Sequence, residues 1–462
     1  MARKPSGINS NSFSRGLSAS LAGLRAGGAL ALDGAWQRLR GDNNLEDSEF
    51  ARREANRFVS ELGRLKGSYV KIGQMFAMLG EHFLPPALTD ALHQLESQTE
   101  PLPWEDIEEQ LRTELGDKFD ELAIEHSALA AASMAQVHRA TIRATGEQIC
   151  LKVQYPGLAA VIDTDFDAVV RMLLLARWIK AGKEMDDWLE SMRAQLHQEI
   201  DYAREAAMID AISDHVAGLD PDTADGGIVY HVPERFARYC TAQVLALEYA
   251  EGHLVTQVEV AQMSQQRRNA LGLGMLELFF LELYRWGLLQ TDPNFGNFLI
   301  RERDGRDELV LLDFGSILAP DDAFLVHLGN AIVAGQAQDR DLLLESLEGL
   351  GCLGPESSEF ARTTFCDFCM QLLEPLRAPD QLPERYLNDR GEYRWGDSAL
   401  IRRVGKQAAQ SAATRHFATP SREFAMIARK LTGVFTFIAV LNAEFNANET
   451  VHIYIDQWLE ED

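Results

Sequence analysis

The sequence contains no apolar run long enough to cross a membrane. A helix that spans a bilayer needs about 20 consecutive, mostly apolar residues. The longest candidate, from Leu431 to Leu441, is shorter. The sequence also shows no secretory cleavage pattern. These absences predict a cytoplasmic protein in which Leu431 to Leu441 forms a core helix.

Cysteine is scarce, and its positions form no disulfide pattern. The five cysteines are Cys150, Cys240, Cys352, Cys366 and Cys369. Such usage is typical of a reducing compartment. The Cys366-x-x-Cys369 spacing has no second pair and no nearby histidine, and it lies in an apolar helical run, so it does not indicate zinc. We interpret these two cysteines as buried thiols.

The chain has fewer basic than acidic residues, which limits the molecules that it can bind. The chain has 44 Lys and Arg against 70 Asp and Glu, a formal net charge of -26. Because there is no excess of cations to neutralise phosphates, the composition excludes nucleic acid as the main partner.

The N-terminal residues are the exception to this acidic balance. Against one acidic residue, Asp33, residues 1–40 carry the basic residues Arg3, Lys4, Arg15, Arg25, Arg38 and Arg40. Apolar and small residues recur there at near-helical spacing. One interpretation is a segment attracted to anionic lipid, which would make the protein peripheral at the inner membrane face. The other is a loosely docked N-terminal helix, and the many small residues would make a poor membrane anchor.

At 462 residues, the chain is long enough for two lobes. We predict four segments: a basic, small-residue-rich segment 1–45, a helical extension 46–127, a strand-rich lobe 128–250 and a mostly helical lobe 251–462. One apolar stripe at helical spacing marks the extension, up to Pro85-Pro86. It consists of Phe58, Leu62, Leu65, Tyr69, Ile72, Phe76 and Leu79. Strands first and helices later indicate a two-lobed α+β protein.

The most informative stretch runs from Asp292 to Gly315. An Asp-x4-Asn motif, Asp292 to Asn297, precedes one apolar strand, and Asp313-Phe314-Gly315 ends a second. An Asp-Gly pair in the polar segment between them predicts a hairpin. The hairpin would bring Asn297 close to Asp313, and such oxygen ligands suit Mg²⁺ held jointly with nucleotide phosphates. Asp292 stands where a kinase-type catalytic loop places its proton acceptor.

Small residues occupy the place of a phosphate-binding loop before the first long strand. In the kinase pattern Gly-x-Gly-x-x-Gly-x-Val, each glycine position holds alanine here. Alanine takes a left-handed conformation only at a cost of roughly 1 kcal/mol or more. We therefore expect a stiffer loop that grips phosphate differently. The candidate contacts are Ala130, Ala131, Ala132 and Ser133.

A lysine and a group of carboxylates complete the strand-rich half. Lys152 ends an apolar strand, where its ammonium could reach phosphate oxygens, and such a lysine needs a carboxylate partner. A long helix, predicted over Asp186 to Val216, offers Asp201 and Glu205 on one face and Glu199 on another. The carboxylates could then serve Lys152 and a cation of the N-terminal helices. The plainer alternatives are an exposed lysine and a solvated acidic helix.

An apolar strand that passes into a polar linker, Leu245 to Gly252, is typical of a hinge between lobes. Backbone groups there would contact an adenine ring, with Glu248 and Ala250 as the candidate positions. The complete order is alanine loop, strand lysine, helix glutamate, hinge, Asp-x4-Asn, hairpin and Asp-Phe-Gly. This is the order of a protein-kinase-like fold.

With Lys71-Ile72-Gly73-Gln74 and Glu199-x-Asp201 added, the chain resembles the UbiB/AarF family of atypical kinases over about residues 50–460. The segment Gln290 to Phe298 looks like the branch that contains the mitochondrial ubiquinone-biosynthesis members. The resemblance implies a helical extension that packs over the active site of a two-lobed protein-kinase-like fold. It assigns Lys71 and Gln74 to the extension, Glu199 and Asp201 to contacts with it, Lys152 and Glu205 to nucleotide positioning, Asn297 and Asp313 to metal binding, and Asp292 to catalysis.

The resemblance also implies binding of ATP or ADP with Mg²⁺ and a role in ubiquinone or related prenyl-lipid metabolism, as an ATPase or a kinase. Nucleotide and a lipid or quinone-like ligand are the implied partners, and a homodimer is a further candidate. The chain departs from the family pattern at Met208, where many relatives have asparagine, and at Glu96-Ser97-Gln98. Some relatives carry membrane-spanning helices, but this sequence contains no apolar run of that length. Peripheral contact with a membrane is therefore the most that we expect here.

The acceptor can be argued from length alone. Only Ser316-Ile317-Leu318 separate the Asp-Phe-Gly motif from Ala319-Pro320-Asp321 and a new helix. A protein kinase needs a longer activation segment there to hold a peptide, so a small or lipid-like acceptor, or water, fits better. The rivals are a true protein kinase and a nucleotide-clamped scaffold of a lipid-biosynthesis complex. Retention of all the candidate site residues argues against the scaffold.

Overall fold

The structure is a computed structural model that describes residues 49–65, 67–79, 84, 86–92, 101–176, 178–179, 183–219, 227–355, 357–412, 420–456 and 458. The predicted basic segment 1–45 and the departure at Glu96-Ser97-Gln98 lie outside the described residues. The chain divides into two compact units. The first unit is Met1–Ala206 with Glu234–Tyr249, and the second is Ala207–Pro233 with Ala250–Asp462.

Helices and strands alternate in the first half of the chain, and helices dominate the second. The helices are α1 (Glu49–Leu65), α2 (Ser68–Leu79), α3 (Pro86–Leu92), α4 (Trp104–Leu115), α5 (Leu158–Leu175), α6 (Lys183–Glu199), α7 (Tyr202–Ala217), α8 (Val258–Ala261), α9 (Gln265–Tyr284), α10 (Asp322–Ala337), α11 (Arg340–Gly349), α12 (Glu359–Leu372), α13 (Leu400–Ala412), α14 (Arg422–Val440) and α15 (Asn448–Val451). The strands are β1 (Leu122–Ile124), β2 (Ala130–Ala131), β3 (Ala135–Ile142), β4 (Gln148–Gln154), β5 (Val229–His231), β6 (Val244–Glu248), β7 (Leu289–Gln290), β8 (Phe298–Arg303), β9 (Arg306–Leu311) and β10 (Ile317–Leu318).

The apolar stripe of the extension belongs to two helices rather than the predicted single one. Gly67 has φ 61°, a left-handed conformation that ends helices because glycine has no Cβ to clash there. Helix α2 restarts at Ser68, whose hydroxyl donates a hydrogen bond to the buried carboxylate of Asp165 on α5. Phe58 and Leu62 of α1 and Tyr69, Ile72 and Phe76 of α2 are buried, so this part of the stripe faces inward on both sides of the break.

The helical part of the first unit has one apolar core. Phe58 of α1 meets Trp178 edge to face, with ring centroids 5.0 Å apart, and Phe76 of α2 stacks near Phe166 of α5. Met134, at the tip of the alanine loop, is buried in the same cluster. Burial of large side chains of this kind contributes roughly 1.5–3 kcal/mol each, so α1, α2, α5 and α6 are held together mainly by apolar contact.

An antiparallel sheet forms the rest of the first unit, in the order β1-β3-β4-β6, with β2 added beside β3. Strands β3 and β4 pair on either side of Thr145-Gly146: Val137 lies opposite Lys152, and Gly146 takes φ 80° in the turn. Helix α4 covers the sheet with Ile107 and other apolar side chains.

The long helix predicted over Asp186 to Val216 is broken near its middle. Helix α6 ends at Glu199 and α7 begins at Tyr202. Asp201 caps the new helix, because its Oδ1 accepts a hydrogen bond from the Arg204 backbone N–H at 2.9 Å. The side chain of Gln154 donates to the Ile200 carbonyl at 2.5 Å, so the end of β4 holds the break in place.

A three-stranded sheet and a set of helices form the second unit. The predicted hairpin is confirmed: β8 pairs antiparallel with β9 in a register that runs from Phe298 opposite Leu311 to Arg303 opposite Arg306. Asp304 and Gly305 form its turn with φ 51° and 78°, as a two-residue turn with positive φ requires. Strand β5 pairs parallel with β9 on the other side.

The core helix predicted at Leu431 to Leu441 is confirmed as the second half of α14, which begins earlier, at Arg422. Cys366 and Cys369 are buried in α12, as predicted, and burial raises the pKa of the Cys369 thiol well above its usual value. Within the described ranges, none of the helices is both long enough and apolar enough to cross a membrane.

Candidate functional site

In the first unit, Lys152 and Glu205 form an ion pair. Lys152 Nζ lies 2.6 Å from Glu205 Oε1, with the lysine side chain 26% exposed and the glutamate 2%. The ring centroid of Tyr202, in the first turn of α7, lies 5.3 Å from the same ammonium. The carboxylate is therefore the buried partner, whereas part of the lysine side chain is accessible, and such a lysine could bind a phosphate oxygen.

A second lysine pairs with a different carboxylate. Lys71 Nζ of α2 lies 2.5 Å from Glu199 Oε2, the last residue of α6, and both side chains are about one-fifth exposed. Gln74 follows three residues later and is half-buried on the same helix. The two carboxylates expected to serve two partners thus do so, while Asp201 uses its carboxylate to cap α7.

The alanine loop is a tight hairpin between β2 and β3. Ala130 lies opposite Val137, and the Ala132 backbone N–H donates to the Ala135 carbonyl at 2.8 Å, so Ser133 and Met134 form the turn. Tyr155 Oη donates to the Ala132 carbonyl at 3.0 Å. In the described part of the chain, the non-glycine residues with positive φ are Asp304, Gln338, Ala399 and Asn442. None of the loop alanines is among them, so the expected cost of left-handed alanine does not arise in this loop.

The stretch predicted as a hinge contains the point where the chain passes from one unit to the other. Glu248 ends β6, opposite Ile149, and its Oε2 accepts from the Glu234 backbone N–H at 3.3 Å. Ala250 begins the next part of the second unit, directly after Tyr249. Both candidate positions thus adjoin this boundary.

In the second unit, hydrogen bonds join the Asp-x4-Asn residues. Asn297 Nδ2 donates to Asp292 Oδ2 at 3.1 Å and to the Asp292 carbonyl at 3.3 Å. The hairpin places Asp313 beside them, because the Leu312 backbone N–H donates to the Asn297 carbonyl at 3.0 Å. Asp313 Oδ1 accepts from the Gly315 backbone N–H at 2.9 Å. The structure therefore brings Asp292, Asn297 and Asp313 together.

The donor set suits a cation that is shared with a ligand. The side-chain hydrogen bonds of Asn297 both use Nδ2, so its Oδ1 can serve as a metal ligand, as can the carboxylate of Asp313. Across the described residues there is no cluster of three or more His, Cys, Asp or Glu that could hold a metal. Mg²⁺ requires six oxygens and commonly takes the remaining ones from phosphates and water. The residues fit Mg²⁺ bound with a nucleotide.

Sequence reasoning missed the helix that supports this loop. On α14, Lys430 Nζ lies 2.7 Å from Gln290 Oε1, and Arg429 lies 3.4 Å from Asp292 Oδ1. A Cβ added at Gly433 would lie 2.1 Å from Pro293 Cβ, so only glycine permits this approach. The available signal was the pair of cations that directly precedes the apolar run at Leu431.

Lys430 lies in a buried polar cluster with Glu282 of α9. Both side chains are nearly inaccessible, and Nζ lies 3.8 Å from Glu282 Oε2. Burial lowers the pKa of Lys430 and raises the pKa of Glu282 to about 7, although the nearby ammonium opposes the second shift. Desolvation has this effect because it disfavours the charged form of each group.

The chain is similar to several known proteins. A sequence model described as the ABC1 atypical kinase-like domain matches residues 94–347. The chain is 30% identical over 408 residues to atypical kinase COQ8B, mitochondrial, of Rattus norvegicus, covering 87% of this chain and 72% of that protein. It is 27% identical over 424 residues to atypical kinase coq-8, mitochondrial, of Caenorhabditis elegans, covering 91% of this chain and 53% of that protein. The chain thus spans about half the length of the nematode relative.

A solved structure shares the fold. The complex of Rv3197 with erythromycin from Mycobacterium tuberculosis matches with a TM-score of 0.57 at 22% identity, covering 88% of this chain and 97% of that one. At this identity the likeness concerns the fold alone. Together with the domain match, it makes the fold α+β and protein-kinase-like, as the order of the sequence motifs predicted.

Proposed function

Because the chain belongs to the family of ABC1 atypical kinase-like proteins, we propose that it binds ATP or ADP with Mg²⁺, carries out phosphoryl chemistry and supports the biosynthesis of ubiquinone or a related prenyl lipid. The observation that carries the proposal is the hydrogen-bonded group of Asp292 and Asn297 beside Asp313. An aspartate and an asparagine at this spacing, followed by Asp-Phe-Gly after a hairpin, supply the proton acceptor and the metal ligands of kinase-type chemistry.

Each residue in the proposal has a stated task. Lys152, held by Glu205, binds phosphate oxygens of the nucleotide. Asp292 accepts the proton of the attacking hydroxyl or water. Asn297 keeps the carboxylate of Asp292 oriented through the hydrogen bond that its Nδ2 donates. Asn297 Oδ1 and Asp313 would hold Mg²⁺, which when bound neutralises charge on the transferred phosphoryl group.

The remaining candidates are assigned to the surroundings of the nucleotide. The turn formed by Ala130, Ala131, Ala132 and Ser133 covers phosphate, and Glu248 and Ala250 adjoin the adenine. The Lys71–Glu199 pair, with Gln74 and the Asp201 cap, fixes the extension against α6 and α7. The same proposal includes three further partners: a lipid or quinone-like ligand, a membrane surface contacted through residues 1–45, and a second copy of the chain in a homodimer.

The segment after Asp-Phe-Gly favours a small acceptor, a lipid-like acceptor or water over a peptide. Strand β10 pairs with β7, so that Ile317 lies opposite Gln290. The Thr291 backbone N–H donates to the Ser316 carbonyl at 2.9 Å, and the hydroxyl oxygens of these residues lie 2.7 Å apart. Helix α10 begins at Asp322, capped by Asp321. The segment is thus short and already paired, with no free length to hold a peptide strand.

The proposal is tested by Mg²⁺-ATP hydrolysis with purified protein and anionic-lipid vesicles. We expect turnover in the wild type, its loss in Asp313→Asn, and wild-type turnover in Asp304→Asn. The control makes the same acid-to-amide change in the same hairpin, at a turn position where asparagine tolerates positive φ.

Two other results would replace the proposal. If neither the wild type nor Asp313→Asn turns over nucleotide although both bind it, the protein is a nucleotide-clamped scaffold of a lipid-biosynthesis complex. If phosphate appears on a defined protein acceptor and is lost in Asp292→Asn, it is a protein kinase. Turnover that survives Asp313→Asn would reject the metal assignment.

A further inference from the structure

Helix α14 contacts the loop that carries Asp292 at several successive points. Lys430 contacts Gln290, Arg429 contacts Asp292, and Gly433 lies against Pro293. One turn further on, the ring of Phe437 lies 6.0 Å from the rings of both Phe295 and Phe298. Gly433 follows the adjacent Arg429 and Lys430 at spacings of four and three, and Phe437 follows Gly433 at a spacing of four, so these residues lie on one side of the helix. That face follows the loop from Gln290 to Phe298.

Lys430 is the buried member of this row. Its side chain is 1% exposed, and its ammonium donates to Gln290 Oε1 at 2.7 Å. The same ammonium lies 5.0 Å from the centroid of the Phe298 ring. It therefore contacts residues at both ends of the loop, one before Asp292 and one directly after Asn297.

The polar cluster around Lys430 is not built for stability alone. Two of its buried atoms, Gln290 Nε2 and Glu282 Oε2, have no hydrogen-bond partner in the described structure. Buried ions cost several kcal/mol in desolvation, and apolar residues of similar volume often replace them without loss. A helix that only had to pack would gain more from a methionine at this position. The ammonium supplies orientation instead, because it fixes the oxygen end of the Gln290 amide.

The exposed neighbour cannot supply the same constraint. Arg429 lies 3.4 Å from Asp292 Oδ1, with both side chains more than one-third exposed. Ion pairs in that setting are screened by water and hold their partners weakly. The buried Lys430–Gln290 contact is therefore the stronger restraint on the loop.

We propose that Lys430 is a positioning residue for catalysis, whose ammonium holds Gln290 and so fixes the carboxylate of Asp292 and the amide of Asn297 in their reactive arrangement. The inference rests on the proposed function, since it assigns the loop to phosphoryl chemistry. A misplacement of about 1 Å in a catalytic group can lower a rate by roughly 100-fold, so a restraint outside the site can still control turnover.

The test separates orientation from stability. In Lys430→Met, we expect kcat to fall at least about 10-fold while KM for Mg²⁺-ATP changes less than about 3-fold, because a group needed only for the chemical step affects kcat. The single variant leaves Glu282 buried without a cation. The double variant Lys430→Met with Glu282→Gln removes that carboxylate, and we expect it to regain Tm but not kcat.

A matched control removes the cation of another ion pair in the same unit, one whose carboxylate is also buried. Arg403 pairs with the buried Glu374 at 2.7 Å. We expect Arg403→Met to lower Tm but to reduce kcat much less than Lys430→Met does. Recovery of kcat and Tm together in the Lys430/Glu282 double variant would overturn the proposal, since Lys430 would then be a purely structural residue.

Hydrogen–deuterium exchange of residues 289–298 tests the restraint without turnover. We expect faster exchange of this segment in the double variant than in the wild type, and no change there in Arg403→Met. Unchanged exchange in the double variant would also overturn the inference. If the wild type shows no turnover at all, the proposed function fails, while the exchange result still decides whether Lys430 restrains the loop.

Discussion

Lys152 and Glu205 contact each other from opposite environments: Nζ and Oε1 lie 2.6 Å apart, yet the glutamate is almost fully buried while a quarter of the lysine side chain is exposed. Glu205 and Lys152 therefore depend on their ion pair to different degrees. The buried carboxylate needs the cation because an unpaired buried charge is unfavourable. The lysine could remain charged in water without the glutamate.

This asymmetry predicts unequal effects of the two single substitutions. Lys152→Met leaves Glu205 buried without its cation and should lower the free energy of unfolding by roughly 3 kcal/mol. Glu205→Gln keeps a polar side chain and leaves a partly hydrated lysine, so it should cost about 1 kcal/mol. Chemical denaturation of the two variants measures both values.

The double variant Lys152→Met with Glu205→Gln separates stability from nucleotide binding. We expect it to recover most of the stability that Lys152→Met loses, yet to bind Mg²⁺-ATP as weakly as that variant, because the phosphate-binding cation is still absent. Nucleotide affinity that recovers together with stability would show that Lys152 does not contact phosphate.

The pair of Lys71 and Glu199 predicts energetic coupling between the extension and α6. Lys71 Nζ lies 2.5 Å from Glu199 Oε2, with both side chains about one-fifth exposed. For a pair partly shielded from water, we expect a coupling energy of roughly 1 kcal/mol in a double-mutant cycle. The cycle uses Lys71→Met, Glu199→Gln and the double variant, measured by thermal unfolding.

Additive effects in that cycle would mean that the ion pair does not link the two helices. A matched cycle on Arg193 and Asp163, a surface pair that joins α6 to α5 at 2.7 Å, provides the exposed reference. Because its carboxylate is more than half exposed, that cycle should give a smaller coupling energy that decreases further at high salt.

Sequence patterns predicted the features that depend on neighbouring residues. The Asp304-Gly305 turn and the flanking apolar strands define the β8–β9 hairpin, and the hairpin alone places Asn297 beside Leu312 and Asp313. The Thr145-Gly146 turn joins the β3–β4 pair in the same way. These predictions succeeded because turn geometry fixes strand register over a short distance.

Features that depend on distant contacts were not predictable in this way. The break between α6 and α7 needs the cap of Asp201 and the hydrogen bond from Gln154 to Ile200, and the second partner is far away in sequence. The parallel pairing of β5 with β9 also joins distant segments. The surroundings of Lys430 also depend on distant segments, since Gln290 and Glu282 lie far before it in the sequence.

The hairpin turn predicts a specific effect of a glycine substitution. Gly305 has φ 78°, and an added Cβ would meet nothing within 4 Å, so Gly305→Ala introduces only backbone strain. We expect it to lower the free energy of unfolding by roughly 1 kcal/mol. Gly354 also has open space around it but no positive φ, so Gly354→Ala should leave stability unchanged or slightly raised. Equal effects in chemical denaturation would contradict the strain argument.

The buried Glu282 predicts a pH-dependent term in stability. Burial raises its pKa from 4.5 to about 7, against the opposing effect of Lys430, and Tyr230 also interacts with it electrostatically. Between about pH 4.5 and 7, Glu282 therefore carries a proton in the native protein that it has already lost in the unfolded chain. Because the native state binds more protons in that window, this group's contribution to stability is complete below pH 4.5 and is lost as the pH rises to 7.

The measurement is the free energy of unfolding of the wild type and of Glu282→Gln between pH 4 and pH 8. Relative to Glu282→Gln, the wild type should become less stable by roughly 3 kcal/mol as the pH rises, which is the pKa difference multiplied by about 1.4 kcal/mol per unit. The same comparison in a Lys430→Met background should extend the decline to higher pH, because the ammonium no longer lowers the pKa of Glu282. A stability difference that does not change with pH would show that the pKa of Glu282 is the same in the native and unfolded states, and that the ammonium of Lys430 fully compensates its burial.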